Sequence, residues 1–255
     1  PSAFPAHRRA GLNLMVGATG DRLAGRIALV TGASKGIGRA VAKRFALEGA
    51  TVIAIARSKK ELLSLDDEIT DSTGQSAVLV DEDLTAFDTI DKVGEALFTR
   101  YGKIDVVVGA AATLGQLSPV GHIPPKFWDQ VFALNVTANW RLLRSVDPLL
   151  RQSDAGRAIF VTCSQGSLPA PYWGGYGASK AALEQMVRIY AAEMTESKIC
   201  ANLIDPGPVR SALRLKAFPG EDQDSLRAPE DVTDAFVDLA DPAHDKTGER
   251  VTIDD

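Results

Sequence analysis

Several things are scarce in this chain of 255 residues, and each scarcity closes a class of function. There are two cysteines, Cys163 and Cys200, in no CxxC pair and in no Cys/His cluster. A zinc site or a disulfide framework is thereby excluded, and a reducing compartment such as the cytoplasm is the natural reading. No apolar run approaches the roughly 20 residues that span a bilayer, so no membrane role is expected. A basic excess is missing as well: the net charge is −5, whereas a general nucleic-acid binder carries a basic face. Acidic residues are absent from the first 20 positions, "PSAFPAHRRAGLNLMVGATG", which carry Arg8 and Arg9 and no clear periodicity. Residues 1–22 therefore read as a disordered extension, with a transit peptide as the alternative. The long apolar stretch of a secretory signal is not there.

What is present is ordinary for a globular protein, 45% apolar and 24% charged residues. From Arg26 onward, short apolar runs alternate with amphipathic ones. Strands are expected at 26–31, 51–56, 76–80, 105–110, 158–163, 199–204 and 250–253, most of them apolar on both faces as buried parallel strands are. Helical patterns lie near 37–48, 59–70, 86–101, 127–150, 177–196 and 230–240. That alternation predicts one domain over 23–255. The fold class is α/β: a doubly wound, seven-stranded parallel sheet of Rossmann type with helices on both faces. Residues 211–229 read as an irregular insert after a strand's carboxyl end.

The first strand runs into "TGASKGIGRA", which opens the first helix. Gly32, Gly36 and Gly38 let the backbone turn tightly and approach a phosphate without a Cβ clash. The helix N-terminus behind them offers free N–H groups to a pyrophosphate. The second strand ends "IAIARSKK", with no acid before Glu61. An NAD site usually places an acid there for the ribose 2′-hydroxyl. Here Arg57 and Ser58 take that place, and Lys35 faces the same corner, a cationic pair suited to the 2′-phosphate of NADP(H).

Tyr176 and Lys180 stand at i and i+4, one above the other on a helix face. A phenol titrates near pH 10, and an adjacent ammonium favours its ionised form, lowering the pKa toward working pH. The same face, with Ala181, Leu183, Met186 and Val187, also suits plain packing. Asn135 falls on the buried stripe marked by Val131, Leu134, Ala138 and Leu142.

In this order and spacing, TGxxxGxG at 31–38, Asp83-Leu84, Asn135, YxxxK at 176–180 and "DPGPVRS" at 205–211 resemble the short-chain dehydrogenase/reductase (SDR) family. The resemblance covers the chain from about Leu23 to Ile253. It implies an NADP(H)-dependent oxidoreductase that moves hydride between nicotinamide and a carbonyl or alcohol substrate, with Tyr176 as acid and base. Lys180 would also hold the nicotinamide ribose, and Asn135 would hold a water that relays to Lys180. Asp83 would meet the adenine amino group and the Leu84 backbone the ring. Gly32, Ser34, Lys35, Gly36, Ile37, Gly38, Arg57, Ser58 and Ala111 would complete the grip on the dinucleotide. Pro206, Gly207, Val209 and Ser211 would line the nicotinamide. Family members assemble through their long helices, so a homodimer or homotetramer is implied.

Two departures from the family pattern stand out. The family's NNAG segment reads "GAAA" at 109–112, which removes two amide side chains and adds a Cβ at Ala112, weakening cofactor binding or shifting the loop. The family's carbonyl-polarising serine, counted back from Tyr176 without a gap, falls on Cys163, with Ser164 the next residue. A thiol is a weaker donor than a hydroxyl, and Ser164 substitutes only if the strand has ended and the loop turns it inward. Both remain candidates. The departures also support an alternative function, a catalytically weak or inactive NADP(H)-binding regulator or scaffold.

Overall fold

The structure is a computed structural model that describes residues 20–253. Seven strands, β1 (Ile27–Thr31), β2 (Thr51–Ile55), β3 (Val78–Val80), β4 (Val106–Gly109), β5 (Arg157–Val161), β6 (Cys200–Asp205) and β7 (Arg250–Thr252), form one sheet in the order β3-β2-β1-β4-β5-β6-β7. Every pairing is parallel. All seven expected strands are present, their ends shifted by a residue or two.

The two faces of the sheet explain why the strands read as apolar throughout. Successive side chains point to opposite faces. Leu29, Val107, Phe160 and Leu203 join one core, packed under α3 (Phe87–Tyr101), α5 (Ala138–Leu150) and α6 (Gly174–Glu193). Their neighbours Val30, Val108, Ile159 and Ile204 join the other, under α1 (Gly36–Leu47), α2 (Lys59–Thr73) and α8 (Thr233–Ala240). The strand order reverses between β1 and β4, where Thr31 and Gly109 are register partners. At such a switch point the carboxyl ends of the strands leave a crevice that helices do not fill.

Three sequence expectations change. The helix expected over 127–150 is α4 (Pro125–Phe132) and α5, joined by a π turn at Ala133–Thr137 that contains Asn135. The insert at 211–229 is not wholly irregular, for Ser211 caps α7 (Ala212–Ala217) by accepting from the Arg214 amide at 3.1 Å. Of the extension expected over 1–22, residues 1–19 lie outside the described residues. Arg22 does not continue it as a loose end: its guanidinium pairs with Asp238 and Asp241.

Candidate active site

At the switch point, Gly32 and Gly36 adopt φ of +68° and +56°, values that favour glycine. A Cβ on Gly32 would stand 2.9 Å from the Ala111 Cα, and one on Gly38 only 2.5 Å from the Gly32 carbonyl oxygen. The turn is therefore pressed against both its own helix and the loop after β4. Lys35 is the N-cap of α1 but makes no side-chain cap, and the first turn has no acidic residue. The positive end of the helix and its amides are left for an anion. This donor set and this close backbone approach fit a dinucleotide pyrophosphate.

The GAAA loop is held in spite of its missing amide side chains. Thr31 Oγ1 accepts from the Ala110 and Ala111 amides at 3.1 and 3.3 Å and donates to the Val108 carbonyl at 3.2 Å. From the other side, the Asn135 amide accepts from Thr113 N–H at 2.9 Å and donates to Thr113 C=O at 3.0 Å. It also donates to Ser179 Oγ at 3.0 Å, and its own carbonyl accepts from Asn139 at 2.9 Å. Asn135 is thus a fully partnered core amide in the bend of a helix. It pins the loop rather than lining the cavity.

A cavity of about 520 Å³ runs from this loop to α7. The structure brings nearly all the sequence-predicted residues to its wall: Gly32, Ser34, Lys35, Gly36, Ile37, Gly38, Arg57, Asp83, Leu84, Ala111, Cys163, Ser164, Tyr176, Lys180, Pro206, Gly207, Val209 and Ser211. Ser58 is not among them. It caps α2 by accepting from the Glu61 amide at 3.4 Å, and the S-x-x-E spacing of a capping box was the signal for that role. At the same corner Arg57 is 73% exposed and stands 3.8 Å from Asp83. Asp83 is itself fixed by Thr85, whose amide and hydroxyl both donate to it at 2.8 Å.

At the other end Tyr176 and Lys180 rise from the first turns of α6, 7% and 2% exposed. Lys180 Nζ is 5.7 Å from the Tyr176 ring centroid and donates to the Val161 carbonyl at 2.7 Å. Burial outweighs the surrounding acids and lowers the lysine pKa to about 8. The lowering expected for the tyrosine does not occur. Burial pushes the phenol well above its ordinary value, and the adjacent Cys163 thiol pushes the same way. Tyr176 is therefore a protonated donor at neutral pH.

The local backbone separates the two candidates beside it. Beyond β5 the chain stays extended through Cys163, with φ −161°, and turns only at the 3-10 turn Ser164–Gly166. Cys163 therefore still projects as a strand residue, toward Tyr176 and Lys180, which both perturb it or are perturbed by it. Ser164 is the first residue of that turn and is exposed, bordering the cavity at its rim. Burial raises the Cys163 pKa, so the thiol is protonated at neutral pH.

One feature was invisible to spacing. Arg250 of β7 donates to Asp205 Oδ2 at 2.7 Å and lies 3.4 Å from Glu184 of α6. Asp205 Oδ1 in turn accepts from the Gly207 amide at 3.0 Å, and Glu184 accepts from Thr162 at 2.7 Å. Both carboxylates are buried. They tie the loop after β6 and the end of β5 to the helix that carries Tyr176. No sequence motif links three residues so far apart.

The sequence profile of the short chain dehydrogenases matches residues 26–222. The uncharacterized oxidoreductase YciK of Escherichia coli K12 is 36% identical over 231 residues, 89% of this chain and 91% of that protein. An NADPH-dependent pterin aldehyde reductase of Arabidopsis thaliana is 30% identical over 214 residues, 84% of this chain and 87% of that one. A short chain dehydrogenase from Escherichia coli CFT073, solved in complex with NADPH, superposes with a TM-score of 0.87 at 35% identity, covering 91% of this chain and 98% of that chain. With its switch-point crevice, glycine turn and Tyr–Lys pair, the chain belongs to the short-chain dehydrogenase/reductase family of oxidoreductases.

Proposed function

We propose that this protein is an NADP(H)-dependent reductase of a carbonyl substrate, or the matching alcohol dehydrogenase, with Tyr176 as the proton donor and acceptor. The observation that carries the reading is the buried Tyr176, with Lys180 and Cys163 beside it, in the same cavity as the uncapped glycine turn. When bound, the nicotinamide supplies or takes up hydride. The chain's own residues handle the rest. Tyr176 keeps its proton at neutral pH, so it donates to a carbonyl oxygen as negative charge develops there. Cys163 adds a second, weaker donor to the same oxygen. Lys180 spends one N–H on Val161 and has two left for the ribose hydroxyls and the emerging phenolate. Asp205 and Arg250 fix the loop of Pro206 and Gly207 that would flank the ring. At the far corner, Arg57 and Lys35 would meet the 2′-phosphate, in keeping with the NADPH held by the Escherichia coli CFT073 protein.

A second reading, an NADP(H)-binding regulator or scaffold with little turnover, is favoured by one observation, the thiol where a stronger donor serves the reaction best. NADPH oxidation across ketones, aldehydes and acyl thioesters separates the two. Turnover of any member supports the reductase; tight NADPH binding with no turnover anywhere supports the regulator. Assembly into a homodimer or homotetramer is part of the proposal, since α5 and α6 leave Trp140 and Ile189 exposed.

A further inference from the structure

Trp173 immediately precedes α6, and its placement is forced. The residue before it, Tyr172, is the one non-glycine residue with positive φ among the described residues, at 73°. A residue with a Cβ in that region is strained by about 1–2 kcal/mol, and such strain persists only where surrounding contacts over-determine it. Here they do. The Ser118 amide donates to the Tyr172 carbonyl at 3.0 Å, and the Gly177 amide to the Trp173 carbonyl at 2.7 Å. The outcome is an indole ring at the cavity wall, edge-on to Tyr176 at 5.9 Å and tilted 35° to Phe218 at 5.6 Å. Phe218 is fixed by stacking: the Arg214 guanidinium, itself on the cavity wall, lies 4.0 Å over its ring and is held in turn by Glu221, at 2.6 Å from Nε.

Charge around this wall is cancelled. Arg214 is paired with Glu221 and Asp205 with Arg250. Lys180 is buried against the Val161 carbonyl and belongs to the proton machinery. The cations Lys35 and Arg57 sit with the glycine turn, at the opposite end. A charged substituent beside Trp173 would therefore lose its hydration and gain no counter-charge. Two fixed aromatic rings that meet at a tilt leave edges and faces for a third ring.

We propose that Trp173 and Phe218 are specificity-determining residues that select neutral carbonyl compounds whose carbonyl is carried on a flat aromatic ring. The inference rests on the carbonyl-reduction reading above and deepens it. Benzaldehyde and cyclohexanecarboxaldehyde isolate the ring, because they differ in flatness and π character and little in size. 4-Carboxybenzaldehyde isolates charge.

The test has a binding arm and a turnover arm. Calorimetry on the protein loaded with NADP+, which cannot reduce an aldehyde, measures the three affinities directly. Benzaldehyde is expected to bind about tenfold tighter than cyclohexanecarboxaldehyde, the size of one good aromatic pair. 4-Carboxybenzaldehyde should bind at least tenfold weaker than benzaldehyde. Phe218→Leu and Trp173→Leu, both at half-buried positions that tolerate the change, should bring the first ratio close to one. With NADPH, the same variants should lower the benzaldehyde preference in kcat/KM, chiefly through KM. Equal affinities for the two neutral aldehydes, or tight binding of the carboxylate, overturns the aromatic selection whatever the turnover. A binding preference that both variants erase, without turnover of any carbonyl, leaves the selection standing and sinks the reduction reading. Turnover without preference does the reverse.

Discussion

Cys163→Ser is the perturbation whose outcome follows most closely from the geometry. The side chain stands on an extended backbone, with φ −161°, so serine adopts the same rotamers. Oxygen is smaller than sulfur, and no overpacking results. The Gly166 amide donates to the Cys163 carbonyl at 3.0 Å, which fixes the backbone that carries the side chain. A hydroxyl at that position is a stronger donor than the thiol. Complete loss of one oxyanion donor costs about a hundredfold in turnover. The thiol retains part of that, so restoring the hydroxyl should raise kcat about tenfold, or ~1.4 kcal/mol of transition-state free energy. The assay is NADPH oxidation at saturating cofactor with any accepted carbonyl substrate. Ser164→Ala, at an exposed residue that has already entered the turn, should stay within about twofold, as surface changes do. Collapse of turnover in Ser164→Ala together with a neutral Cys163→Ser would refute the placement of the carbonyl oxygen beside Cys163.

Three further outcomes can be measured independently. Arg57→Asp should cost NADPH about tenfold or more in affinity and spare NADH, an effect that shrinks with added salt because Arg57 is 73% exposed; equal loss for both cofactors would remove the 2′-phosphate argument. Lys180 titrates at about 8 when folded against 10.5 when free. The unfolded chain therefore holds the extra proton between those values, and the cofactor-free protein gains stability as pH rises through that window, by up to about 3 kcal/mol. Denaturant unfolding of the parent and of Lys180→Met at pH 7 and pH 10 checks this: the parent's gain should be absent in the variant. Arg250→Met leaves the buried Asp205 carboxylate without its cation, while Glu184 keeps Arg188 at 3.1 Å. A buried pair broken from one side costs about 3–5 kcal/mol, which for a chain of this size is a fall of roughly 10 °C in Tm; an unchanged Tm would show that the network is not bearing on the fold.

The sheet was legible in the sequence because parallel strands buried on both faces leave continuous apolar runs such as "DVVVGA", and because strand and helix alternate without a break. The glycine turn was legible for a different reason: Gly32 and Gly38 have no room for a Cβ, a local constraint that composition displays directly. Asn135 on a buried stripe announced a partnered core amide, but not that a π turn would aim it at Thr113. Ser58 also caps α2, a role that a small hydroxyl serves as well as it would a phosphate; Glu61, three residues on, was the sign of the cap. The helix in the insert had its sign as well, a capping serine before "ALRLKA". The acidity of Tyr176 was not legible at all. Spacing reveals that a lysine is near, whereas the direction of the shift depends on how deeply both groups are buried. The same holds for Arg250, whose two carboxylates are brought to it by β6 and α6.

The central claim is that Tyr176 moves the proton in a dinucleotide-bound cavity, and Tyr176→Phe tests it most directly. The change removes one hydroxyl from a buried ring and leaves the glycine turn, Lys180 and Arg57 in place. NADPH affinity and carbonyl-dependent NADPH oxidation should be measured on the same preparation. The account predicts affinity within about threefold of the parent and turnover lower by a factor of a hundred or more, the usual scale of a lost general acid. Turnover close to the parent's would contradict it.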